Sequence, residues 1–160
     1  MRAEIQKMSP SSKVWIYQAD REFNEVEAAQ IQLQGLQFIE NWTAHDNPLL
    51  AGFSLLYNRF LLFVVDEEST GASGCSIDKS IHLIRKFEND FNVSLLNRLN
   101  VAYKVDDKIY STSKAEFEDL LKDGKINEKT IVFNNMVLNL GEFNAKWEGS
   151  IENSWHKQLI

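Results

Sequence analysis

The sequence predicts one α+β domain with a ferredoxin-like β-α-β-β-α-β core, extended at its C-terminal end by a further strand and helix. Three observations carry that expectation. Short β-rich apolar runs alternate with two longer segments whose apolar residues recur every three or four positions. One run, Phe60 to Val65, is apolar throughout, as a strand covered on both faces must be. The chain's 160 residues, 44% of them hydrophobic and only two of them proline, suit a single packed core with no second one.

Residues 1–12 are polar around Ser9-Pro10-Ser11-Ser12 and read as a flexible N-terminal arm, which leaves 13–160 as the domain. Val14, Trp15, Ile16 and Tyr17 form the first strand. Asn24 with Glu27 three residues on marks a helix start, and Val26, Ala29, Leu33, Leu36 and Ile39 give that helix an apolar stripe. His45-Asp46-Asn47-Pro48 ends it. Leu50 to Tyr57 and Phe60 to Val65 read as an antiparallel hairpin turning at Asn58-Arg59, with the second run as the central strand.

A loop of small residues then leads into a second helix striped by Ile77, Ile81, Ile84, Phe87 and Phe91. VAYKV and KIYST make a hairpin around Asp106-Asp107, and Ser113 with Glu116 is the capping box of a short helix ending near Gly124. Thr130 to Phe133 is a short strand. Asn134-Asn135 opens a last helix with Val137, Leu140, Phe143 and Trp147 inward, and IENSWHKQLI is a tail. The order is that of a split β-α-β, in which an antiparallel sheet carries two helices on one face and leaves the other open.

Composition narrows the function. A net charge of −6 and a pI near 5.1 argue against an extensive nucleic-acid surface, which rests on clustered Lys and Arg. One cysteine makes no intramolecular disulfide and suits a reducing compartment, so a cytoplasmic location is expected. No stretch approaches ~18 consecutive apolar residues, and no signal-peptide core opens the chain, so membrane insertion is not expected.

The segment Gly71-Ala72-Ser73-Gly74-Cys75-Ser76 stands between an apolar strand and a helix. Free helix-start N–H groups and permissive glycines suit a small anionic or phosphate-bearing ligand, with Gly71, Ser73, Gly74, Ser76 and Lys79 as its contacts. Cys75 at the same place feels the helix dipole, which favours thiolate and makes it the best nucleophile of the chain. Its base is expected to be His45 or His156, with Asp66 or Asp78 orienting that base. His82, seven residues further along the helix, lies roughly 10 Å away along the axis and is a poor partner. The simpler reading of Cys75 is a small residue packed in the core.

Three separated histidines and one cysteine give no pair at ligand spacing, and neither a metal nor a cofactor is expected. The Trp42 to His45 segment and the Trp155-His156 pair either line an aromatic pocket or close the edge of a core, and the second is the commoner use of tryptophan. Lys79-Ser80 opens a helix after a glycine-bearing loop, as the phosphate loop GxxxxGK[ST] does. That alignment puts Ser73 and Asp78 where the motif needs glycines, and Asp78 would face phosphate with negative charge. Asp66-Glu67 at the end of an apolar run imitates a magnesium-holding acidic pair, but it precedes the loop instead of following it.

From about Val14 to His156 the chain resembles a family of small Bacteroidota proteins often labelled "ABC transporter ATPase". The resemblance is carried by KVWIYQADREF, WTAHD, YNRF, VDEESTGASGCSIDKSIH, TIVFNNMV and NSWH. The label implies a transporter motor, whereas the chain lacks the phosphate loop, the signature segment and the length of one. The resemblance implies no catalytic residue, so the candidates above rest on their chemistry alone. Three readings follow: a binding or interaction domain for an anionic ligand or protein partner, a thiol-dependent hydrolase or transferase at Cys75, and a homodimer formed through the open sheet face.

Overall fold

The computed structural model describes all residues, Met1–Ile160. The chain runs through β1 (Lys13–Gln18), α1 (Glu25–Glu40), a small hairpin of β2 (Thr43–Ala44) and β3 (Asn47–Pro48), β4 (Leu50–Leu56), β5 (Phe60–Asp66) and α2 (Gly74–Phe91). It continues through β6 (Asn100–Val105), β7 (Lys108–Ser113), α3 (Lys114–Lys122), β8 (Ile131–Phe133), α4 (Leu140–Lys146) and β9 (Glu148–Ser150), and ends in two 3-10 turns, Ile151–Asn153 and Trp155–Leu159. The α+β class stands. No helix is long and apolar enough to cross a membrane.

β5 is the middle strand of an antiparallel sheet ordered β1-β5-β4. Its alternate residues serve two cores, as its unbroken apolar run requires. Leu61, Phe63 and Val65 meet Ile31 and Ile39 of α1 and Ile84 and Phe87 of α2 on one face. Leu62 and Val64 meet Met8, Val137 and Leu140 on the other. The sheet face expected to lie open for a partner is therefore covered by the chain's own ends.

Three strands of the expected core are in order, and the fourth is elsewhere. β6 joins a second antiparallel sheet, β7-β6-β8-β9, because the edge of β1 is already taken. Val14 N donates to Leu138 O at 3.2 Å and Lys13 bridges to Asn139, so main chain from far downstream meets donors and acceptors that an edge cannot leave unpaired. β6 meets the end of β1 at its start, where Gln18 Nε2 donates to Asn100 O at 3.5 Å.

The expected flexible arm is folded against the opposite edge. Ala3 N donates to Ala51 O at 2.7 Å and Ala51 N to Met1 O at 3.0 Å, while Met8 and Ser12 are buried. The tail is likewise packed, with Ile151 and His156 fully enclosed. The stripe of α1 is also turned: Ile31, Gly35 and Ile39 are inward, and Val26 and Leu33 are exposed. Gly35 sets this rotation, since a Cβ there would lie 2.4 Å from the Phe53 ring, and only a glycine lets α1 approach β4 so closely.

Capping chemistry places the remaining ends. Asn24 with Glu27 and Ser113 with Glu116 form reciprocal capping boxes, as the sequence indicated. The last helix begins later than expected, at Leu140, after the N-cap Asn139, whose Oδ1 accepts from Glu142 N at 2.8 Å. The β6–β7 turn falls on Asp106-Asp107, both at positive φ, and the β4–β5 turn spans Tyr57, Asn58 and Arg59, one residue longer than the expected pair. Tyr57 and Asn58 carry its positive φ, a backbone that Asn adopts more readily than most residues.

Candidate functional site

The first turn of α2 is capped from within the chain. Ser73 is the N-cap: its Oγ accepts from Ser76 N at 3.2 Å, and its N donates to Ser76 Oγ at 2.6 Å. Ala72 N donates to Glu67 Oε2 at 2.7 Å, and Glu67 also pairs with Lys13 at 3.2 Å. A carboxylate of the protein thus stands beside the helix start and opposes a second negative charge there. Gly71, Gly74 and Lys79 do not add a binding cradle, for Gly71 and Gly74 lie at the surface and Lys79 points outward.

Cys75 is exposed, contrary to the packed residue expected. α2 turns Ser76, Ser80, Ile84 and Phe87 inward, and the indole of Trp42 fixes this rotation by donating from Nε1 to Ser76 O at 2.8 Å. Cys75, next to Ser76, is left facing solvent. No hydrogen bond ties a catalytic set to it. His45 sits exposed on the β2–β3 turn at φ 51°, and His82 is exposed on α2. Asp66 caps a turn, its Oδ1 accepting from Glu68 N at 3.0 Å. His156 packs against Phe117 of α3 and shares its Nδ1 with the Ser154 hydroxyl. No hydrogen bond joins the Cys75 sulfur to any of these histidines. No three His, Cys, Asp or Glu side chains converge as a metal site would need.

Between the two sheets lies a cavity of about 330 Å³. The C-terminal end of β1 supplies Ile16, Tyr17 and Gln18. The segment before β6 supplies Leu95, Asn97 and Arg98, the start of β6 supplies Asn100 to Ala102, and Phe133, Asn135, Met136, Trp155 and His156 complete it. It exists because β6 leaves the end of β1 and the two sheets splay there.

One wall of the cavity is held by amides. Trp147 Nε1 donates to Asn135 Oδ1 at 2.9 Å, and Asn135 Nδ2 donates to Gln18 Oε1 at 2.8 Å. Each group in this chain fixes the next, so the wall is rigid before any ligand arrives. Tyr17 is buried, which raises its phenol pKa, while the Ser80 hydroxyl and the Arg98 charge act in the opposite direction. Arg98 itself is exposed and forms no ion pair.

His156 is only 1% exposed, and burial lowers its pKa to about 4, so the ring is neutral near pH 7. Its Nδ1 is engaged with Ser154 and its Nε2 has no partner in the protein. Trp155 stacks on it with ring centroids 3.9 Å apart. Of the residues nominated from sequence, His156 alone lines this cavity. The Trp155-His156 pair was the one legible signal: Trp155 lines the cavity and His156 is buried beside it. Gln18, Arg98 and Asn135 went unnoticed because each looks like ordinary loop or strand-end polarity.

Comparison of the chain with protein-family models, curated proteins and solved structures gives no match.

Proposed function

We propose that the protein is a binding domain for a small organic anion, held in the cavity between the sheets. The observation that carries this reading is a mixed apolar and polar cavity with an unpaired guanidinium, Arg98, at its wall and an imidazole nitrogen, His156 Nε2, left without a partner inside it. Binding sites of this size combine an apolar lining with a few fixed polar groups that orient the ligand. Arg98 takes the acid group, the ring of Trp155 with Ile16 and Phe133 covers the apolar body, and His156 and the Gln18–Asn135 pair choose among polar substituents.

This keeps the anionic ligand anticipated from the sequence and moves it away from the α2 start, where Glu67 competes. A thiol enzyme at Cys75 has no histidine hydrogen-bonded to its sulfur to support it. The test is a ligand-observed NMR screen of carboxylates and phosphate esters against the wild-type chain, Arg98→Ala and Gln18→Ala. Acids that bind the wild type and weaken about tenfold in Arg98→Ala would sustain the reading, that factor being one lost charge-assisted contact. No binder at millimolar concentration, or binders indifferent to both substitutions, would end it.

A further inference from the structure

A second cavity, of about 420 Å³, opens between the β4–β5 and β6–β7 turns, and it borders a charge that the fold leaves without a counterion. Arg59 is 8% exposed, yet no carboxylate lies within ion-pair distance of it. Its side chain makes one hydrogen bond, from Nη2 to Ile109 O at 3.2 Å. A guanidinium carries five N–H donors, and removing it from water is costly unless those donors and the charge are met. The sealed, unpartnered polar atoms of the interior belong to Ser12, Ser111, Thr112 and Trp155, not to Arg59. Its free donors therefore open on the cavity that it lines.

The other walls carry both signs. Glu22 and Asp107 bring carboxylates, Lys108 an ammonium, and Tyr57 and Tyr110 aromatic rings. Burial lowers the Arg59 pKa, while Glu22 and Asp20 act to raise it, so these acids share its side of the molecule without pairing with it. A polyanion such as phosphate would meet two carboxylates here. A ligand with its own carboxylate and its own ammonium meets neither penalty.

We propose that this cavity binds a small zwitterion of the amino-acid class, its carboxylate held in the fork of Arg59 and its ammonium turned to Glu22 and Asp107. The backbone around Arg59 is fixed for this role. Arg59 N donates to Leu56 O at 3.0 Å and Arg59 O accepts from Ala19 N at 2.8 Å, so the guanidinium is presented from a braced turn. The site is separate from the cavity between the sheets, and neither proposal depends on the other.

The experiment is thermal denaturation of the full chain with each of the common L-amino acids at millimolar concentration, alongside the matching amines and des-amino acids. At least one amino acid is expected to raise Tm, and both truncated analogues to lose that shift. Glu22→Gln and Asp107→Asn, both exposed, should each weaken binding about tenfold, and Arg59→Lys should weaken it at least as much by losing the fork. Arg98→Ala should leave this binding unchanged, which separates the two sites. Should no amino acid shift Tm, the proposal is overturned. It is equally overturned if Glu22→Gln and Arg59→Lys destabilise the ligand-free protein by equal, non-additive amounts, because Glu22 would then be the counterion of Arg59 in solution.

Discussion

The two sheets solve the same problem with different means. The β1-β5-β4 sheet has one strand buried on both faces and a 17-residue cluster under two long helices. The β7-β6-β8-β9 sheet has one short helix and a six-residue cluster around Phe117, and its edge strand β7 has no fully buried residue. The halves are joined where Phe60 of the first meets Phe133 and Trp147 of the second, at centroid distances of 4.7 and 5.0 Å. The difference teaches that the larger core belongs to the first sheet, while the two cavities open where the second splays from it.

The largest effect should come from the first core. Phe63 is fully buried and touches the rings of Tyr17, Phe38, Trp42 and Phe53. Phe63→Ala should cost about 4 kcal/mol, the transfer of a phenyl ring plus an unfilled cavity. Phe117→Ala, in a smaller cluster whose neighbours can collapse, should cost about 3 kcal/mol. Urea denaturation of both variants measures the pair, and a larger loss for Phe117→Ala would reverse the ranking of the two cores.

Acid separates the halves by charge. His156 in the second half has a folded pKa of about 4, below the ordinary histidine value, so the unfolded chain takes up its proton first as pH falls. Stability is intact above about pH 6.5 and is lost progressively down to about pH 4, by about 3 kcal/mol in total. In the first half Glu27 is held to a pKa of about 2 by hydrogen bonds from Arg21 and from the Asn24 backbone. Its contribution is present above the usual carboxylate range and disappears only as pH falls toward about 2. Denaturation midpoints at pH 7 and 4.5 should therefore differ in the wild type and differ much less in His156→Phe. An unchanged drop in that variant would show that another group carries the transition.

What the sequence made legible was local. The capping boxes at Asn24 and Ser113, the Asp106-Asp107 turn and the doubly buried β5 rest on residues within one element or its neighbour. The destination of β6 rests on Leu138 and Asn139 having claimed the edge of β1, and nothing in VAYKV records that. The cavity between the sheets is harder still, since its key contact, Gln18 with Asn135, spans 117 positions. Amphipathic spacing misled in α1, where Val26, Ala29 and Leu33 are exposed, whereas in α2 Ile84 and Phe87 of the expected stripe are buried and only the first turns are rotated, toward Ser76 and Ser80. Periodicity finds a stripe but not its rotation, which Gly35 and the two inward serines of α2 decide by size and hydrogen bonding.

Cys75 gives the smallest effect and the cleanest reading of that rotation. With Ser76 and Ser80 inward, the thiol has left the first core altogether and stands in solvent at the start of α2. Cys75→Ser should then alter stability by less than about 0.5 kcal/mol, as exposed substitutions away from special features do. Alkylation of the native protein should match that of the urea-unfolded chain within about tenfold, because access does not limit it. A native thiol protected far beyond that, together with a loss of several kcal/mol in Cys75→Ser, would put the sulfur back in the core. α2 would then have to be rotated by roughly one residue, about 100° on a helix of 3.6 residues per turn, and the Trp42 to Ser76 hydrogen bond would break with it.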